Sequence, residues 1–84
     1  LKTFYVYVLI CSDGTLYTGY TTSIEDRLKK HNLGLASKYT RTRLPVKLVY
    51  YETTASKSLA MQREYVIKRM SRTEKLALIS QESE

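Results

Sequence analysis

The first apolar run of the chain, Phe4-Tyr5-Val6-Tyr7-Val8-Leu9-Ile10, is β-branched or aromatic at most positions and holds no charge. A run of this length without polar alternation predicts a strand covered on both faces rather than a helix. Ser12-Asp13-Gly14 punctuates it, and Thr15-Leu16-Tyr17-Thr18-Gly19-Tyr20-Thr21 returns to strand-type residues, so an antiparallel hairpin is expected. The length of the turn decides which tyrosines meet. A two-residue loop at Asp13-Gly14 sets Ile10 against Tyr17 and leaves Tyr7 and Tyr17 on opposite faces of the sheet. A three-residue loop sets Leu9 against Tyr17 and Cys11 against Thr15, and both tyrosines then share a face. The three-residue form is predicted, because glycine at its third position takes a positive φ without steric cost.

Beyond the hairpin the hydrophobic period lengthens. Ser23 is a good helix N-cap, Glu25 and Asp26 follow in the first turn where the macrodipole favours negative charge, and Gly34 marks the end. Spacing along this helix puts Ile24 and Leu28 on an apolar stripe against the sheet, with Arg27 and His31 on a polar stripe that reaches the sheet's rim. Leu35 to Leu44 reads as a basic loop, and Pro45 precedes a third strand at Val46 to Glu52. A second helix is expected from about Ser56 to Met70, with Leu59, Val66, Ile67 and Met70 facing the core and Glu64 beside that stripe. Ser71-Arg72-Thr73-Glu74 has the form of a capping box, which predicts a short last helix to about Ile79 and fraying from Gln81 to Glu84. The expected fold is α+β: one domain over residues 1–84, a three-stranded antiparallel sheet flanked by helices, in the order β-β-α-β-α-α.

Composition narrows the chemistry. A chain of 84 residues leaves room for one core and a shallow site, not a deep cofactor cavity. The single cysteine, Cys11, and the single histidine, His31, cannot supply a disulfide or a four-ligand structural zinc site. The reduced cytoplasm is the expected compartment, and no apolar run approaches the roughly 20 residues of a membrane span. Charge is more informative. Of 14 Lys and Arg residues, 13 lie between Arg27 and Lys75, where the acidic residues are Glu52, Glu64 and Glu74. Such a concentration of positive charge is the footprint of a polyanion partner, and nucleic acid fits it better than a membrane surface.

Many enzyme plans lack their parts here: there is no glycine-rich phosphate loop, no HExxH pair, no CxxC and no carboxylate cluster for two metals. A nucleophile pair of Cys11 and His31 remains formally open, but a cysteine late in an apolar strand reads as a small buried hydrophobe. What remains is two tyrosines, an arginine, a histidine and a helical glutamate in a basic surface. Tyr5-Val6-Tyr7, then Tyr17-Thr18-Gly19, Arg27 and His31 on a helix, and Glu64 on a later helix together resemble the GIY-YIG nuclease family over nearly the whole chain. Lys38-Tyr39-Thr40-Arg41 and Arg63-Glu64 further resemble its small, stand-alone bacterial members. Tyr5 stands where the first motif has glycine, and Thr18 where the second has isoleucine; Tyr7, Tyr17 and Gly19 are kept.

The resemblance implies a metal-dependent endonuclease that hydrolyses DNA phosphodiester bonds, with Tyr7, Tyr17, Arg27, His31 and Glu64 as its catalytic residues. Glu64 is then the ligand of Mg²⁺ or Mn²⁺, since a hard cation takes oxygen donors and keeps several waters. Arg27 meets the charge that builds on the scissile phosphate. A tyrosine is the general base; the sequence leaves Tyr7 and Tyr17 both open, with Tyr7 favoured and Tyr17 orienting water or phosphate. Lys38, Arg41, Arg43 and Lys68 are expected to hold phosphates, and Tyr39 either stacks on an unpaired base or packs over its own loop. Glu64 could also pair with Lys68 one turn on. With little surface and no long recognition helix, low sequence specificity and structured or single-stranded DNA are expected. The alternative is a non-catalytic module that binds DNA or RNA, or an activity that needs a partner protein.

Overall fold

In the computed structural model, which describes residues 2–82, the first apolar run forms β1 (Phe4–Ile10). β1 is the central strand of a three-stranded antiparallel sheet, with β2 (Leu16–Thr21) on one side and β3 (Lys47–Thr54) on the other. Its alternate residues divide between two cores, which explains why the run is apolar throughout. Val6 and Val8 pack with Tyr50, Ala60 and Ile67 on one face; Tyr7, Leu9 and Cys11 pack with Val46 on the other. The hairpin has the predicted three-residue turn. Leu9 pairs with Tyr17 and Tyr7 with Gly19, the Cys11 amide donates to the Thr15 carbonyl at 2.8 Å, and Gly14 has φ +84°. Tyr7 and Tyr17 therefore share a face.

Helix α1 (Ile24–Asn32) covers that face through Ile24 and Leu28. The Ser23 hydroxyl accepts from the Asp26 amide, as expected of the cap. At the other end Gly34, at φ +78°, donates to the His31 carbonyl while Leu35 donates to that of Lys30, a Schellman closure that only a residue tolerant of positive φ completes easily. The basic loop holds a 3₁₀ turn at Thr40–Thr42 before β3, which begins one residue later than expected and runs on to Thr54.

Helix α2 (Lys57–Lys68), capped by Ser56, covers the opposite face together with α3 (Arg72–Glu82). Here one expectation is corrected. Leu59 and Val66 are nearly half exposed, and the stripe turned to the sheet is Ala60, Glu64, Ile67 and, just past the helix, Met70. The small Ala60, fully buried, lets the helix approach the sheet closely, and that rotation carries Glu64 inward to a half-buried position. The capping box at Ser71 and Glu74 forms in both directions, at 3.1 and 2.8 Å. α3 continues past its expected end at Ile79 to Glu82; Ser83 and Glu84, also part of the stretch expected to fray, lie outside the described residues. No helix among the described residues is long and apolar enough to cross a membrane.

Two buried phenols make stability fall at high pH. Burial pushes both Tyr7 and Tyr50 up to about 12, and the neighbouring Glu52, which accepts from the Tyr50 hydroxyl, adds to the effect on Tyr50. Between pH 10 and about 12 the unfolded chain ionises these phenols and the folded chain does not, so stability is lost as pH rises through that window. For Tyr7 the loss is on the order of 2–3 kcal/mol. Urea midpoints measured across this range should drop, and Tyr7→Phe and Tyr50→Phe should each remove part of the drop.

Candidate active site

Strand β2 is an edge of the sheet, and a cleft of about 400 Å³ runs over it. Its walls come from both sheet faces: Tyr7, Tyr17 and Arg27 from the α1 side, Glu64 and Lys57 from α2, with Gly19 and Thr21 along the strand and Thr22 just beyond it. Glycine at position 19 makes this convergence possible. A Cβ there would lie 2.6 Å from Tyr7 Oη and 2.7 Å from its Cζ, so the Tyr7 ring lies directly across the strand in space that any side chain would fill.

Tyr7 is nearly fully buried, yet it is among the residues lining the cleft, and its hydroxyl meets His31 Nε2 at 2.9 Å. The far nitrogen of the ring, Nδ1, lies 2.8 Å from Thr40 Oγ1. Both His31 and Thr40 are completely buried. His31 therefore does not reach the rim beside Arg27, as the shared helical stripe suggested. It stands behind Tyr7, its ring edge-on to Tyr7 and Tyr17 at centroid distances of 5.9 and 5.2 Å. The reason is that the apolar surroundings close over that end of α1 while Arg27, one turn earlier, stays half-buried at the cleft. Burial pushes the Tyr7 phenol up, the Tyr17 phenol and the Glu64 carboxylate add to this, and the Arg27 guanidinium opposes it. Cys11 is buried beside this cluster with no bond to His31, whose two nitrogens are taken by Tyr7 and Thr40.

Burial, helped by the positive Arg27, pushes the His31 imidazole below its ordinary value of 6.5. As pH falls below 6.5 the unfolded chain takes up a proton that the folded chain refuses, so stability declines until the depressed folded value is passed. His31 is the single histidine, and the Asp13 carboxyl, held low by its bonds to Thr15, titrates only below 3.8. A fall in urea midpoint as pH drops below about 6.5, absent in His31→Gln, is the expected signature.

Glu64 has a side chain about one-fifth exposed, and its ion pair is with Lys68 at 3.7 Å. Tyr17 turns toward the basic loop: the Tyr39 ring lies nearly parallel to it at 6.1 Å, and the Arg43 guanidinium sits 3.9 Å over the Tyr39 ring. Tyr39 thus packs over its own loop. Arg43 also binds Asp13 at 3.1 Å and the Tyr39 carbonyl at 2.7 Å, tying this loop to the hairpin turn. Lys38 and Arg41 are exposed beside it. Sequence reasoning missed Thr40, which nothing but the fold connects to His31, and Lys57, which opens α2 at the cleft wall.

Residues 3–77 match the GIY-YIG catalytic domain. A UPF0213 protein of Staphylococcus haemolyticus is 56% identical over 77 residues, covering 92% of this chain and 94% of that protein. A UPF0213 protein of Natronomonas pharaonis is 56% identical over 79 residues, covering 94% and 93%. Among solved structures, the solution NMR structure of a UPF0213 protein from Bacillus halodurans shares 49% identity at a TM-score of 0.60, covering 93% of this chain and 83% of that one. A protein from E. faecalis, also solved by NMR, shares 37% identity at a TM-score of 0.64, covering 100% and 91%. The match spans the sheet, α1, α2 and the cleft between them, and the chain belongs to the GIY-YIG catalytic domain family.

Proposed function

We propose that the protein is a metal-dependent endonuclease that hydrolyses DNA phosphodiester bonds in this cleft, selecting structure more than sequence. The observation that carries the proposal is the convergence of Tyr7, Tyr17, Arg27 and Glu64, from four different elements, on one cleft of about 400 Å³. That volume admits a phosphate with its ion and waters. The family supports nuclease chemistry; the substrate, the metal and the residue roles are inferred from the side chains.

Glu64 is the residue that would hold Mg²⁺ or Mn²⁺. Its donor set fits: a half-buried carboxylate lines the cleft, and its ion pair with Lys68 is long and easily exchanged. One carboxylate suits a hard cation that keeps most of its waters and takes phosphate oxygens from the substrate. When bound, the cation polarises the phosphate, stabilises the leaving oxygen and favours ionisation of a nearby phenol.

Arg27 carries a fixed charge and forked donors to the phosphate oxygens, where negative charge builds in the transition state. Tyr7 is the proposed general base. As phenolate it takes the proton of the attacking water while the phosphorus bond to the leaving sugar oxygen breaks, and that oxygen takes its proton from solvent. At about 12, Tyr7 is held as phenol at neutral pH; Arg27, whose charge lowers that value, is the residue of this chain that helps it act as base, and a cation held at Glu64 would add to the effect. Tyr17 orients water or phosphate. Lys38 and Arg41 are exposed and positioned to hold the backbone, Lys68 joins them when its ion pair with Glu64 opens, and Arg43 and Tyr39 shape the neighbouring loop. Cytoplasmic DNA transactions are the proposed setting, with RNA or a partner protein as further possibilities.

The test is incubation with branched, flap and single-stranded DNA in Mg²⁺ or Mn²⁺, beside EDTA. Cleavage that appears with the metal and stops with EDTA is the expected result. Binding that weakens steeply with salt, never followed by a cut on any substrate, would replace the enzyme with a nucleic-acid-binding module.

A further inference from the structure

The hydrogen-bond chain behind Tyr7 has a direction that donor and acceptor counting can fix. A neutral imidazole carries one N–H and one bare nitrogen, so His31 either accepts from Tyr7 and donates to Thr40, or the reverse. The two ends of the chain are unequal. Tyr7 is one of the residues lining the cleft, and its Oη stands 2.6 Å from where a Cβ on Gly19, another lining residue, would be, so the bare face of that glycine leaves the phenol proton an open side to turn to. Thr40 is completely buried, and among the described residues the one hydrogen bond of its hydroxyl is to His31 Nδ1 at 2.8 Å. If Nδ1 carried the proton, the Thr40 O–H would be buried with no acceptor. A buried donor left unmade costs more than an unused lone pair.

We propose that Thr40 is a positioning residue: its hydroxyl donates to Nδ1 and fixes His31 as the Nε2–H tautomer, which donates to the Tyr7 oxygen. Two further bonds hold the threonine in place, for Ser37 Oγ accepts from the Thr40 amide at 3.1 Å and the Thr40 carbonyl accepts from Arg43 at 2.8 Å. Burial keeps the imidazole neutral, so the donor assignment persists at neutral pH. The consequence rests on the nuclease proposal. In this tautomer His31 cannot take the phenol's proton; it supports the phenolate with a second donor beside Arg27 and turns the Tyr7 lone pair and proton toward the cleft.

Nitrogen NMR of His31 in the whole chain tests this directly, because the bare and protonated ring nitrogens of a neutral imidazole resonate far apart. The wild-type protein should show Nδ1 bare and Nε2 protonated. Thr40→Ser keeps the hydroxyl and should keep that spectrum. Thr40→Val should lose it, giving a mixture of tautomers, and should lower kcat by about tenfold or more with DNA affinity changed less than about twofold. A wild-type spectrum with protonated Nδ1 overturns the proposal, and so does a Thr40→Val spectrum identical to wild type. Should Thr40→Val fail to fold, the wild-type and Thr40→Ser spectra still decide. A protein with the Nε2–H tautomer that cuts no DNA removes the nuclease proposal and leaves the Thr40 assignment standing.

Discussion

Gly19→Ala lowers the rate of DNA cleavage by about 100-fold while the protein stays folded. The added methyl would sit 2.6 Å from Tyr7 Oη and 2.7 Å from Cζ, well inside contact distance, so one of the two must move. Gly19 pairs with Tyr7 in the register of β1 and β2, and a shift of either backbone disturbs the ladder through both strands. The Tyr7 ring is the softer element, but it too is confined, nearly fully buried and bonded to His31 at 2.9 Å. Displacing the hydroxyl by about 1 Å breaks that bond and withdraws the base from the attacking water, the kind of misplacement that costs on the order of 100-fold. Overpacking of this kind also costs about 1–3 kcal/mol of stability. Gly14→Ala is the control. That glycine has φ +84° and nothing within 4 Å of a new Cβ, so its cost is conformational, about 1 kcal/mol, with cleavage unaffected. Equal cleavage by wild type and Gly19→Ala would show that the Tyr7 position is not used in the chemistry.

The same glycine illustrates what the sequence discloses. The hairpin register was legible because one residue, Gly14, must adopt a left-handed conformation, and that requirement selects one loop length and hence one pairing for every residue on both strands. The caps at Ser23 and Ser71 were legible for a similar reason: each is a local bond between residues three apart. The outward turn of α2 was not. Leu59 and Val66 are more hydrophobic than Ala60, yet the sheet prefers the small residue that allows close approach, and only tertiary packing expresses that preference. Glu64 on the core-facing stripe follows from it.

Contacts between distant segments were hidden for a different reason. Nothing in a sequence pairs Asp13 with Arg43, 30 residues apart, so a basic loop looked wholly available to phosphate when one of its cations is already engaged. His31 presented the opposite problem. Its helical spacing from Arg27 is correct, but sharing a stripe does not mean sharing an environment: one end of the stripe opens on the cleft and the other is sealed under Thr40.

Glu64→Gln should abolish metal-dependent cleavage, a loss of roughly 1,000-fold or more, because the several kcal/mol supplied by a cation at the phosphate disappear with the carboxylate that holds it. The substitution keeps size and shape, and the ion pair it removes, Lys68 at 3.7 Å with the lysine half exposed, is worth only about 0.3–0.5 kcal/mol, so the urea midpoint should barely move. DNA binding gives the sharper signature. Glu64 lines a cleft that also holds Arg27 and Lys57, and its charge opposes an incoming phosphate in the absence of metal. Removing that charge frees Lys68 as well, so fluorescence anisotropy in EDTA should show DNA bound as tightly as by wild type or more tightly. A catalytic carboxylate predicts this separation of binding from cutting, whereas a structural one predicts that both decline together with stability. Wild-type cleavage by Glu64→Gln in Mg²⁺ would remove Glu64 from the metal site, and with it the single-metal mechanism.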